Sequence, residues 1–213
     1  MKAQDITQLA LKWYNKHYPK SLVLRAYNSI RPLPRAYKMQ PNDNWCAAFV
    51  SAVFWTASAG NKDIFPYECG CERMVEKAVL SRMWVENEEI RPRAGWVVMY
   101  DWQDKEQASD NKGWSDHTGI VTKVNEKTFE VIEGNFNNSI GRRVVKYNAL
   151  HLRGFIAPKY ELNGSSSKST ADIAMEVIKG IWGTGKTRQE RLTAAGYDYK
   201  VIQQEVNRMM KEL

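Results

Sequence analysis

SDHTGIVTKVNEKTFEVIEGN, residues 115–135, is the stretch on which the fold turns. Residues 117–124 and 128–133 are rich in β-branched and aromatic side chains, and Asn125-Glu126-Lys127 between them is a turn signal. They read as a hairpin. With the turn centred on residue 125 or 126, His117 lies opposite Glu133 or Asn135. Strand side chains alternate with period two, so in either register all three share one face. Local geometry thus delivers a carboxylate and a carboxamide to an imidazole. Glu133 is expected to accept a hydrogen bond from one ring nitrogen, leaving the other for a thiol proton. Asn135 either shares that orienting role or steadies the loop as a turn residue in Gly134-Asn135.

Working outward, residues 96–100, 142–147 and 153–159 have the same strand-like composition, with a further turn signal at Asn137-Asn138. Upstream the period is helical. Ile6, Leu9, Ala10, Trp13 and His17 form a stripe on a helix over 4–17. Pro19, Pro32, Pro34 and Pro41 indicate an extended loop after it, and another helix is expected over 71–83. Helices followed by antiparallel strands make an α+β domain ending near Tyr160.

Between the loop and that later helix, Asp43 and Asn44 offer cap chemistry to a helix carrying Cys46, Phe49, Val50, Val53, Phe54 and Ala57 on one face, with Gly60 as its stop. Cys46 then occupies the first turn of a buried helix. A free thiol has a pKa of about 8.5, and the positive end of a helix favours its anion. Of His17, His117 and His151, only His117 begins a strand beside small and polar neighbours. Cys46, His117 and Glu133 are therefore the candidate nucleophile, base and orienting group. Cys69 and Cys71 lack enough neighbouring ligands for a zinc site and read as ordinary packed or partly exposed thiols. Three cysteines, an odd number, argue against a disulfide framework.

Three blocks carry a resemblance. Asn44-Trp45-Cys46-Ala47-Ala48-Phe49-Val50, Ser115-Asp116-His117-Thr118-Gly119-Ile120-Val121 and Val131-Ile132-Glu133-Gly134-Asn135 resemble the signature blocks of CHAP domains, the cysteine, histidine-dependent amidohydrolases/peptidases. The resemblance covers roughly residues 1–160 and implies a papain-like CHAP domain, with N-terminal helices packed on an antiparallel sheet. It implies Cys46 as nucleophile, His117 as base, Glu133 as orienting residue and Asn135 as support. Two features depart from the family pattern. Gly95-Trp96 stands where Gly-Asp is frequent, and no acidic calcium loop precedes Cys46, so neither a metal nor a cofactor is expected. The implied activity is cleavage of an amide bond in Gram-positive peptidoglycan, by an N-acetylmuramoyl-L-alanine amidase or a peptidoglycan endopeptidase. Groove shape around Trp45, Trp102 and Trp114 is expected to set that choice. The contrasting reading is a non-catalytic wall-binding protein with a decayed thiol site.

Residues 162–169, LNGSSSKS, read as a flexible linker between a catalytic domain over 1–161 and a module over 170–213. Three short helices are expected in the module. Ser169 with Asp172 and Thr187 with Glu190 resemble capping boxes, Gly196 closes the second helix, and Asp198 caps the third. Ile173, Val177, Ile178 and Ile181 line one face; Ile202, Val206, Met209, Met210 and Leu213 line another. The run from Asp172 to Asn207, with Ala194-Ala195-Gly196-Tyr197-Asp198-Tyr199 as its most specific part, resembles the three-helix cell-wall-binding repeat of phage lysins. In that setting Trp182, Tyr197 and Tyr199 either stack on a sugar or pack in the small core. Arg188 and Arg191 either donate to muropeptide oxygens or sit on a solvated face.

The chain has 213 residues and a net charge of +7, which favours an anionic partner such as a teichoic-acid-bearing wall. Residues 168–213 carry 8 Lys/Arg against 6 Asp/Glu, so the small helices lack the basic face of a nucleic-acid reader. The first twenty residues contain no signal-peptide core, and no stretch approaches the ~18 apolar residues of a membrane helix. Stable membrane association is not expected. The resemblance to lysins implies a monomer held in the host cytoplasm until a holin-type partner opens the membrane.

Overall fold

Ile6, Thr7, Ala10 and Trp13 are the buried face of the first helix, α1 (Ala3–Asn15). His17 lies beyond that helix, exposed and with φ 47°, so it leaves the expected stripe. The proline-rich segment is not wholly extended. Pro19 precedes a second helix, α2 (Lys20–Asn28), which buries Val23, Leu24 and Tyr27. A proline at a helix start has its φ preset and lacks an N–H that would be unpaired there anyway, so Pro19 initiates rather than breaks. Helix α3 (Cys46–Ala57) is apolar all round: every residue from 46 to 54 is buried. Helix α4 (Cys71–Leu80) follows with Cys71, Met74, Val75 and Ala78 inward.

The computed structural model describes residues 1–86, 90–104, 113–160, 170–195 and 197–211. Among these, six strands form one sheet: β1 (Trp84–Val85), β2 (Val97–Tyr100), β3 (His117–Val124), β4 (Thr128–Phe136), β5 (Ser139–Lys146) and β6 (Leu152–Ile156). Their order is β1-β6-β2-β3-β4-β5 and every pairing is antiparallel. Strand β1 is too short to have registered as a periodic pattern. Helices α1 and α3 pack on β3 and β4, and the core between them holds Trp45, Phe49, Val53, Ile120 and Ile132. This arrangement is α+β, as expected from the order of helices and strands.

Gly134 and Asn135 lie inside β4, not in a turn. A Cβ on Gly134 would run into Phe49 and come within 3.1 Å of Trp45, so only glycine lets β4 approach α3 this closely. Asn135 has φ 58°, and the β4–β5 register shifts between Glu133 and Phe136. This is a β-bulge. The turn itself is Asn137-Asn138, both at positive φ, the conformation of two-residue hairpin loops.

The chain divides into two compact units, Met1–Tyr160 and Glu161–Leu213. The expected linker, 162–169, lies outside the described residues, as do Ser169, Gly196 and Leu213. The second unit contains α5 (Thr170–Ile178), α6 (Gly185–Ala194) and α7 (Tyr199–Met209) around Ile173, Ala174, Val177, Leu192, Ile202 and Val206. Asp198 caps α7 as expected, its Oδ1 accepting from the Lys200 and Val201 amides. Three expectations are corrected. Thr184, not Thr187, is the N-cap of α6. Ile181 falls after α5 and is 61% exposed, and Met210 at the end of α7 is 56% exposed, so neither joins the core.

Candidate active site

Cys46 is the first residue of α3, and its N-cap, Trp45, contributes no side-chain cap. Asp43 and Asn44 do not cap this helix as the sequence led us to expect. Asp43 Oδ2 accepts from the Gln40 amide (2.6 Å) and the Tyr37 hydroxyl (2.9 Å), while Asn44 Oδ1 accepts from Asn135 Nδ2 (3.1 Å). The positive helix end is left to the sulfur, and the Ala47 amide bonds to it.

His117 comes from the first position of β3 and Glu133 from β4. Ile120 pairs with Ile132, and the next residues in that register are Gly119 and Glu133. Glu133 reaches the imidazole diagonally. A Cβ on Gly119 would lie 2.7 Å from Glu133 Cγ, so the carboxylate occupies the space that a side chain at 119 would fill. Glu133 Oε2 lies 3.0 Å from His117 Nε2, and both residues are buried. His117 also interacts with Cys46, and Nδ1 is the ring nitrogen that Glu133 leaves free to face the sulfur. Asn135 donates from Nδ2 to Asn44 Oδ1, tying β4 to the segment that precedes α3.

Two participants escaped the sequence reading. Arg143 on β5 donates from Nε to Glu133 Oε1 (2.8 Å) and from Nη2 to Oε2 (3.0 Å), closing a bidentate pair on a fully buried carboxylate. Its guanidinium also lies over the rings of Tyr100, Trp102 and Phe136 at 5.8, 5.3 and 5.0 Å. Cys71, the first residue of α4, sets its sulfur 3.5 Å from that of Cys46. Cys71 is therefore not merely a packed thiol.

These contacts set the charges. The hydrogen bond from Cys71 is the main cause holding the Cys46 thiol well below its ordinary range; burial opposes it, and His117 and the Ala47 amide add to the lowering. Cys71 is pushed well up, by that same bond and by burial. Burial alone would depress His117, but bonds to Cys46 and Glu133 and their negative charges outweigh it and raise the pKa to about 9. Glu133 is opposed by burial, yet His117 and Arg143 hold it below the usual carboxylate range. The direction of each shift favours a thiolate beside an imidazolium, with the carboxylate ionised.

The Cys46 sulfur opens onto a cleft of about 370 Å³ lined by Arg35, Asn44, Cys71, Trp114 and Asp116 among others. Trp114 is 61% exposed at its edge. Trp102, 39% exposed, stacks on Tyr100 and packs 5.7 Å from the His117 ring. Trp45 is a correction. It is wholly buried against Phe49 in the core, because it precedes α3 on the side facing β4, and it cannot shape the groove directly.

In the second unit Trp182 and Tyr197 meet edge to face at 5.8 Å, both half-buried against the core, as is Tyr199. Core packing thus occupies at least part of each ring. Arg188 donates to the Gly183 carbonyl (3.0 Å) and to Gln203 (3.3 Å), tying α6 to α7, whereas Arg191 is exposed. Among the described residues no cluster of three or more His, Cys, Asp or Glu could hold a metal ion, and no helix is long and apolar enough to cross a membrane.

A thiol opening one helix is set against an imidazole and a carboxylate on a neighbouring hairpin. Residues 37–135 match the CHAP domain family and residues 171–210 match the CW_7 repeat. Over 45 residues the chain is 44% identical to the "Lysozyme" of Streptococcus phage Cp-7, a match covering 21% of this chain and 13% of that protein. The chain thus spans only a small part of the length of this curated relative. No solved structure matches.

Proposed function

We propose that this protein is a peptidoglycan hydrolase of the endolysin kind, cleaving an amide bond in the Gram-positive wall with Cys46 as nucleophile. The observation that carries the reading is the chain Cys46–His117–Glu133–Arg143, ending in a sulfur at a helix start on the wall of a cleft. The CHAP and CW_7 matches and the lysozyme relative support the substrate class.

In this mechanism the Cys46 thiolate attacks the amide carbonyl, and backbone N–H groups at the start of α3 stabilise the oxyanion. The His117 imidazolium gives its proton to the departing amine. The acyl group stays on sulfur until water, deprotonated by the now neutral His117, attacks the thioester. Glu133 remains ionised throughout and holds the ring so that Nδ1 faces the sulfur. Arg143 keeps that carboxylate charged and fixed. The CW_7 repeat holds the enzyme on its polymer, raising the effective substrate concentration without adding contacts at the sulfur.

Incubation with purified Gram-positive walls tests the reading. Turbidity is expected to fall, and mass spectrometry of the products identifies the bond. Free stem peptides with intact glycan mean amidase; new N-termini on stem or bridge residues mean endopeptidase. Wall binding without any released product would support the decayed-site alternative instead.

A further inference from the structure

Cys46 and Cys71 open two different helices whose N-termini converge, and their sulfurs are 3.5 Å apart. Both are free thiols, both are buried apart from the face that lines the cleft, and no side chain separates them. A packing cysteine needs no such partner. Disulfide formation requires the sulfurs to close to about 2.05 Å, a movement within reach of side-chain rotation when they already touch. Cys69, two residues away, is engaged differently: its sulfur accepts from Arg35 Nη2 at 2.9 Å.

We propose that Cys46 and Cys71 form a reversible modification site, a dithiol that a peroxide converts into an intramolecular disulfide. Cys46 is the residue that reacts first. Its thiolate, favoured by the helix end and by the Cys71 and His117 bonds, attacks a peroxide oxygen and breaks the O–O bond; the product is a sulfenic acid, and hydroxide leaves to be protonated to water. The Cys71 sulfur then attacks the sulfenic sulfur, an S–S bond forms, and a second water carries away the hydroxyl and the Cys71 proton. Two thiols lose two electrons and one hydrogen peroxide is reduced to two waters. The disulfide blocks further oxidation of Cys46 to sulfinic and sulfonic acids, which are not readily reversed. A small thiol reductant restores both groups by exchange. The consequence for activity rests on the hydrolase reading; formation of the bond does not.

The experiment uses the full chain treated with stoichiometric hydrogen peroxide, then peptide mapping and free-thiol counting before and after dithiothreitol. The expected result is loss of two free thiols, a crosslinked peptide pair containing Cys46 and Cys71, and full recovery of both thiols on reduction. The same crosslink should form in Cys69→Ser. In Cys71→Ser and Cys71→Ala given at least two further equivalents of peroxide, Cys46 should instead advance to the sulfinic acid, each oxidation step consuming one peroxide, and reductant should fail to restore its thiol. Over-oxidised Cys46 beside a free Cys71 thiol in the wild type, or a crosslink joining Cys69 to Cys71, would overturn the proposal. Wall clearing measured on the same samples separates the two ideas. A mapped Cys46–Cys71 bond in a protein that never clears walls supports the modification site and refutes the hydrolase.

Discussion

The Glu133 carboxylate meets His117 Nε2 at 3.0 Å by leaning across Gly119, its counterpart when the Ile120–Ile132 register is continued. The imidazole is therefore held diagonally, and the absent side chain at 119 is part of how it is held. Gly119→Ala places a methyl where Glu133 Cγ now lies. Activity is expected to fall on the order of 10²–10⁴ fold, the contribution of one positioned acid–base group. The alkaline limb of the pH profile should also move down toward the ordinary imidazole range, because the carboxylate that raises His117 is displaced. Unchanged activity would show that the diagonal contact does not matter.

The pH profile of the wild type follows from the two shifted groups. Cys46 is lowered, so its thiolate persists on the acid side well below the about 8.5 of a free thiol. His117 is raised, so it stays protonated up to about 9 and loses its proton above that value. Hydrolysis measured against pH should be broad through neutrality and decline as pH passes about 9. These limbs belong to the coupled pair rather than to either residue alone. Activity that first rises between pH 8 and 9 would indicate an unactivated thiol.

Arg143→Gln removes the bidentate partner of a buried carboxylate. Glu133 is held low partly by that arginine, so without it the carboxylate takes up a proton at higher pH. The acid limb of activity should move up toward neutrality, and Arg143→Lys should restore part of the difference. A variant with the wild-type profile would reduce Arg143 to a surface contact.

Gly134→Ala tests how β4 is seated on α3. The added Cβ collides with Phe49, and overpacking of this kind costs about 1–3 kcal/mol. At about 2–4 °C per kcal/mol for a chain of this size, Tm measured by calorimetry should drop by several degrees. No change in Tm would mean the strand shifts freely, and the Cys46–His117 contact would then not depend on this close approach.

The hairpin was legible from its β-branched runs and turn chemistry, but its register was only partly so. Beside the turn Lys123 pairs with Glu130 and Val124 with Phe129, an odd step; an irregularity between Val121 and Lys123 restores the expected even step, with Ile120 opposite Ile132. The helix start at Cys46 was legible from its long apolar run. Arg143 was not. Counted back from the Asn137-Asn138 turn without interruption, Arg142 would stand opposite Glu133. The bulge at Gly134-Asn135 moves the register by one residue, so Gly141 takes that place and Arg143 reaches the carboxylate, while Arg142 turns to Glu130. A single residue in an unusual conformation thus decides which arginine serves the site. Cys71 had a partial signal, since it begins a predicted helix as Cys46 does. Which helix ends converge is set by tertiary packing, which local patterns do not carry. Trp45 failed for the opposite reason: adjacency in sequence to a reactive residue says nothing about which side of the helix the ring takes.

The central claim is that the Cys46 sulfur makes and breaks the bond. It is tested most directly by counting new amino groups released from purified Gram-positive walls by the wild type and by Cys46→Ala, after circular dichroism shows that both are folded. The wild type should release amines steadily, and the alanine variant should fall by about 10⁴-fold or more, to the background of walls alone, as expected when a covalent nucleophile is removed. Amine release by folded Cys46→Ala at anything near the wild-type rate would contradict the account.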